Sequence, residues 1–105
     1  MILGFDFHPE ARAELLADVE WYDQREADLG ARFEGAVRDS IGVAVESPEA
    51  WARWADWDRD PTVRSKGVSG FPYRVVYFVA GQRLTVVAVA HAKRRPGYWR
   101  ARIGA

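Results

Sequence analysis

Hydrophobic positions fall along the chain in two rhythms, helical spacing in the first half and alternation in the second. Residues 2–7 (ILGFDF) precede both: a short run of large apolar residues bounded by a proline predicts a strand with Phe5 and Phe7 on one face. The helical rhythm begins at His8. Pro9 is tolerated at a first helical position because the N–H it lacks would have no intrahelical partner there, and Glu10 and Glu14 sit where the helix dipole favours negative charge. Ala11, Leu15, Val19 and Tyr22 recur at helical steps while Glu14, Asp18, Asp23 and Arg25 point elsewhere, which predicts an amphipathic helix of about four to five turns. After a pause at residues 27–30 the rhythm resumes in Leu29, Phe33, Ala36, Val37, Ile41, Ala44 and Val45, and Ser47-Pro48 stops it. Asp28 is the expected N-cap of this second helix, and so short a connection makes the pair an antiparallel hairpin. Gly35 and Gly42 disfavour a helix interior, so their spacing predicts a face of close packing.

Residues 48–61 carry Trp51, Trp54 and Trp57 at steps of three, which in a helical turn or two would share one side and seal the base of the core. Beyond them the rhythm changes to alternation. Residues 62–68 alternate weakly, residues 69–72 (SGFP) turn, residues 73–79 (YRVVYFV) form a strong strand, residues 80–82 turn again, and residues 84–91 (LTVVAVAH) form another. Strands joined by short turns predict an antiparallel meander in which Arg74 opposes Tyr73 and Val75 across the sheet. The order strand, helix, helix, strand, strand, strand predicts a two-layer α+β fold, with the helical hairpin on an antiparallel sheet and residues 1–105 forming one domain.

Composition adds limits. With 105 residues, 49% hydrophobic and 29% charged, the chain belongs with ordinary globular domains rather than disordered ones. No cysteine is present and His8 and His91 are the only histidines, so neither disulfides nor a structural zinc site is expected, and no cofactor is implied. The start shows no basic leader followed by an apolar segment, and no apolar run reaches the ~18 residues of a membrane span. The cytoplasm is the expected compartment. Net charge is zero, but residues 1–60 hold all 15 acidic residues against six arginines, −9, whereas residues 61–105 hold seven arginines and two lysines, +9. Such asymmetry points to an anionic partner for the second part, unless the halves neutralise each other across the fold.

The candidate chemistry follows the charge. His8 before a helix-starting proline reads as a cap, whereas His91 ends the best strand beside a basic cluster and suits either a site or a turn-fixing hydrogen bond. The carboxylates of the first helix, Glu10, Glu14, Asp18, Glu20, Asp23 and Glu26, read as a solvated face rather than an acid pair in a cleft. No phosphate-binding glycine loop, nucleophile elbow or zinc-protease motif occurs. What remains is basic and aromatic: Arg64, Lys66, Arg74, Arg83, Lys93, Arg94, Arg95, Tyr98, Trp99, Arg100 and Arg102, a set able to grip phosphates or carboxylates and to stack or seal an interface.

Residues 64–99, RSKGVSGFPYRVVYFVAGQRLTVVAVAHAKRRPGYW, together with FHPEARAEL and EWYDQREADLGARFEGAV near the start, resemble toxins of the RelE/ParE superfamily of bacterial toxin–antitoxin systems. The resemblance covers nearly the whole chain and implies the β-α-α-β-β-β fold, a cognate antitoxin as partner, and operator DNA met only through that antitoxin. In the RelE-like branch a metal-free nuclease cuts messenger RNA on the ribosome; the ParE-like branch is associated with poisoning of DNA gyrase and with plasmid stabilisation. Arg74 matches the strand arginine of the nucleases, Lys93 or Arg94 stands for a second basic group, and Arg64 and Lys66 for a lysine pair. Trp99 stands where the nuclease tyrosine would lie. Indole cannot exchange a proton as a phenol does, so cleavage would require Tyr98 in its place, with Arg74, His91 and Arg94 as the other working groups. The long first helices and the AVAH and RPGYW segments resemble the ParE-like side, which implies a growth inhibitor that binds gyrase, with Arg64, Lys66, Arg74, Lys93, Arg94, Arg95, Tyr98 and Trp99 meeting target or antitoxin.

Overall fold

β1 (Gly4–Phe7), α1 (Pro9–Asp23), α2 (Leu29–Glu46), β2 (Val63–Gly67), β3 (Tyr73–Ala80) and β4 (Arg83–His91) follow one another in the expected order, with a 3-10 turn at Arg100–Arg102. The computed structural model describes residues 4–104, so Ile2 and Leu3 of the expected first strand lie outside the described residues. The strands form one sheet in the order β1-β4-β3-β2. β2, β3 and β4 are the expected antiparallel meander. β1 lies parallel to β4, pairing Gly4 with Arg83 through Phe7 with Val86, so the sheet is mixed rather than wholly antiparallel. Apolar alternation announces a strand but not the direction of its neighbour, which the path of the intervening hairpin decides.

His8 caps α1 as its place before Pro9 suggests: its Nδ1 accepts the Glu10 amide at 3.1 Å. Asp28 does occupy the N-cap position of α2, but it sits in the left-handed region (φ 69°) and its side chain makes no capping bond. Asp23, from the end of α1, does that instead, its Oδ1 accepting the Gly30 amide at 2.8 Å. The helices pack tightly here, because a Cβ on Gly30 would run into the Val19 carbonyl and the Asp23 carboxylate. Gly35 and Gly42 are exposed, and a Cβ on either would meet nothing within 4 Å, so the expected close packing falls to Gly30 alone.

Both faces of the sheet are covered. Ala11, Leu15, Phe33, Val37 and Ile41 of the helices pack on Val75, Tyr77, Leu84 and Val86. The opposite face presents Val63, Val76, Val87 and Ala88 to an irregular cover of Trp57, Trp99 and Ile103, with Trp54 packed against it. The three tryptophans therefore do not share one side: Trp51 joins the helical core while Trp54 and Trp57 join the other. The segment is irregular rather than helical. Arg53 bridges to Arg64 and the Trp54 amide donates to the Val63 carbonyl at 2.8 Å, so the chain is extended from Trp51 to Trp54 and that step of three changes face. A turn closed by the Trp57 amide on the Trp54 carbonyl at 3.2 Å then keeps Trp57 on the side of Trp54.

Candidate binding site at the end of the sheet

Past Val86 the outer edge of β4 loses its neighbouring strand, since β1 ends at Phe7 and the His8 amide makes the last bond, to the Val86 carbonyl at 2.8 Å. Two side chains take the vacant strand position. Arg102 Nη1 donates to the Val87 carbonyl at 2.9 Å, Glu14 Oε1 accepts the Val89 amide at 3.2 Å, and Arg102 Nη2 donates to Glu14 Oε2 at 2.8 Å. The Tyr98 hydroxyl donates to the same Oε2 at 2.7 Å. Val87 is the extra residue of a bulge, since Val76 pairs with Ala88 and Tyr77 with Val86. The pair is largely enclosed, with Glu14 14% and Arg102 10% exposed. Burial, then the hydrogen bond to Glu14, pushes the Tyr98 hydroxyl well above the usual phenol range; the same carboxylate raises Arg102 further. The expected solvated face of first-helix carboxylates has two exceptions, Glu14 here and Asp18 one turn on, both partly buried; they flank the Ala11–Leu15 stripe, and nothing in a helical pattern tells a flanking acid from an exposed one.

Beside this cluster the turn after β4 gathers the basic and aromatic residues. Arg94 lies 3.9 Å over the Tyr98 ring. A cleft of about 100 Å3 opens between Arg74, His91, Arg94, Arg95, Tyr98 and Trp99. Arg74 reaches back to β2, its Nε donating to Ser65 Oγ at 2.9 Å and its Nη2 to the Ser65 carbonyl at 3.1 Å. His91 Nδ1 accepts the Lys93 amide at 3.0 Å, which fixes the turn and leaves Nε2 for other use. Lys93 and Arg95 are exposed and make no ion pair among the described residues.

Other members of the expected set are elsewhere. Trp99 is 1% exposed, at the centre of the second core with its ring edge-on to Trp54 at 5.0 Å, so it offers no surface to a target. Arg64 and Lys66 project from the helical face, opposite Tyr77 and Val75, whereas Arg74 projects from the other. Both are engaged: Arg64 Nη1 donates to the Trp51 carbonyl at 2.9 Å, and Lys66 Nζ to the Gly67 carbonyl at 3.2 Å while lying over the Trp51 ring. The structure brings together Arg74, His91, Arg94, Arg95 and Tyr98, with Lys93 in the same turn and Trp99 buried beside them, and separates Arg64 and Lys66 on the other face of the sheet.

A second, larger cleft of about 360 Å3 lies on the helical side of His91 and Arg94. Tyr22, Tyr73 and Val89 line it, and Ala17, Asp18 and Trp21 of α1 form a wall. Burial holds the Asp18 carboxyl above its ordinary range, opposed by the Tyr73 hydroxyl and, more weakly, by His91 and Arg94. The sequence offered one signal of this cleft: Leu16 and Trp21 interrupt the polar side of an amphipathic helix.

Among the described residues no cluster of side chains suits a metal ion, and no helix is long and apolar enough to cross a membrane. With the geometry in view, the architecture is that of the RelE/ParE-like fold. A solved structure described as "Chromosomal ParDE TA system from P. aeruginosa" superposes with a TM-score of 0.74 over 88% of this chain and 98% of its own, at 13% sequence identity. No protein-family model and no curated protein matches the sequence.

Proposed function

We propose that this chain, acting as one cytoplasmic domain, is the toxin of a toxin–antitoxin pair, neutralised by an acidic antitoxin and inhibiting growth by binding DNA gyrase rather than by cutting RNA. The fold shared with the P. aeruginosa structure supports the class. The observation that carries binding over cleavage is the state of the aromatic pair. Trp99 is buried, and Tyr98 is tied to a carboxylate that raises its pKa, the reverse of what a phenol needs to exchange protons at neutral pH. Arg74, Lys93, Arg94 and Arg95 form an exposed cationic edge, suited to the carboxylates of an antitoxin or to an anionic target surface. Operator DNA is met only through the antitoxin.

The alternative is a ribosome-dependent nuclease, favoured by the one cleft that holds Arg74, His91, Arg94 and Tyr98 together. Induced expression in bacteria lacking the antitoxin, assayed at once for gyrase-linked DNA breaks and for ribosomal transcript cleavage, separates the readings. Breaks with whole transcripts are expected; cut transcripts with intact DNA reverse the assignment; neither, with antitoxin binding retained, leaves a binding module. Tyr98→Phe keeps the ring under Arg94 and removes only the hydroxyl, so growth inhibition should survive it. Loss of toxicity in a folded Tyr98→Phe variant would count for the nuclease.

A further inference from the structure

The proposal above uses the cationic edge and leaves the larger cleft without a role. α1 is apolar on two sides. Ala11 and Leu15 are buried in the core, while Ala13, Leu16, Ala17 and Trp21, at helical steps on the other side, face solvent, with Leu16 55% and Trp21 47% exposed. A helix that only covers a sheet needs one stripe. The second stripe runs into the cleft at Ala17 and Trp21, where Asp18 stands among the rings of Trp21, Tyr22 and Tyr73.

Asp18 has no cation within 4 Å among the described residues. Of the neighbouring groups, Arg94 is held over Tyr98 and the His91 ring by the Lys93 amide, and burial outweighs both of them and the Tyr73 hydroxyl at the carboxyl. A half-buried carboxylate walled by aromatic rings suits a planar guanidinium, which forks onto the carboxylate and stacks on the rings. Trp21 already accepts one, the Arg25 guanidinium 3.3 Å from its ring centre.

We propose that this cleft receives an arginine side chain of a protein partner, its guanidinium on Asp18 and its flanking apolar residues on Leu16 and Trp21. The surface around the cleft favours a protein segment over a free cation. The exposed stripe extends beyond what one side chain covers, and β4 offers backbone as well: the Val89 amide points outward to Glu14, so His91, two residues on, presents its amide to the same side.

The inference rests on the cleft alone and is tested on the isolated full chain by NMR titration with N-acetyl-arginine amide, the tripeptide acetyl-Leu-Arg-Leu amide, spermidine and N-acetyl-glutamate amide. Saturable shifts at Ala17, Asp18 and Trp21 are expected with both arginine probes, the tripeptide binding more tightly. Asp18→Asn should weaken arginine binding about tenfold or more, the loss of a charge-assisted pair, without lowering the melting temperature. Four results would each overturn the proposal: no saturable arginine binding; an equal response to the glutamate probe; spermidine binding tighter than the tripeptide, which marks a site for free polyamines; or a destabilised Asp18→Asn, which means that a group of this chain, a cation or the Tyr73 hydroxyl, already satisfies the carboxylate.

Discussion

Glu14 and Asp18 lie one helical turn apart on α1 and have opposite relations to stability. Glu14 is compensated by Arg102, the Tyr98 hydroxyl and the Val89 amide. Glu14→Ala leaves an enclosed guanidinium and a phenol without their acceptor, and breaking one side of such a pair costs about 3–5 kcal/mol; Glu14→Gln should cost less, since its amide oxygen still accepts. Urea unfolding measures both, and a Glu14→Ala protein as stable as the parent would show that the edge closure contributes nothing. Asp18 runs the other way. Its folded pKa lies above 3.8, so the folded chain holds that proton more tightly than the unfolded one. Its contribution to stability therefore falls as pH rises through 3.8 and the raised folded value, and is level above both. Asp18→Asn is expected to stabilise at neutral pH, with the gain vanishing in acid, which denaturant unfolding across the pH range reports. A gain that persisted undiminished in acid would remove titration as its cause.

At the scale of elements, the helices were legible because each has one buried stripe with a stop or start residue at its ends. Their packing was not. The glycines show why: Gly30, Gly35 and Gly42 all lie in α2, and only the position of α1 tells which one is crowded. Gly30→Ala should destabilise by about 1–3 kcal/mol, the range for overpacking, whereas Gly35→Ala and Gly42→Ala should each stabilise by about 0.5–1 kcal/mol through helix propensity. Thermal unfolding of the three variants checks the order, and a stabilising Gly30→Ala would contradict the close crossing. The tryptophan segment failed for a related reason. Steps of three suit a helix, but a backbone pairing with β2 has period two, and the pairing prevailed.

For the whole molecule, the division into a −9 and a +9 half is only partly cancelled by folding. Arg83 meets Asp6 at 3.1 Å and Arg102 meets Glu14 and Glu10 across the division, yet Lys93 and Arg95 make no ion pair among the described residues. The excess is concentrated at the end of the sheet, where charge would steer encounters with an acidic partner more than hold the complex. Replacing Arg74, Arg94 and Arg95 together by alanine should slow association with the proposed antitoxin by about tenfold at low salt and flatten its salt dependence. Stopped-flow binding at two ionic strengths measures this, and an unchanged low-salt rate would exclude the edge as the docking surface.

The sequence by itself determined the order and kind of the elements, the cap at His8, the alternation that sends Arg74 away from Tyr73 and Val75, and the concentration of positive charge in the last 45 residues. These are local properties, set by periodicity, by proline at a helix start and by composition. Tertiary structure decided the rest: that β1 runs parallel to β4, that Trp99 belongs to the core, that Arg64 and Lys66 stand on the face opposite Arg74, and that Glu14 and Arg102 close an open strand edge. Each depends on residues far apart in the chain. A carboxylate on a helix looks the same in sequence whether it meets water or, 88 positions later, the arginine that completes it.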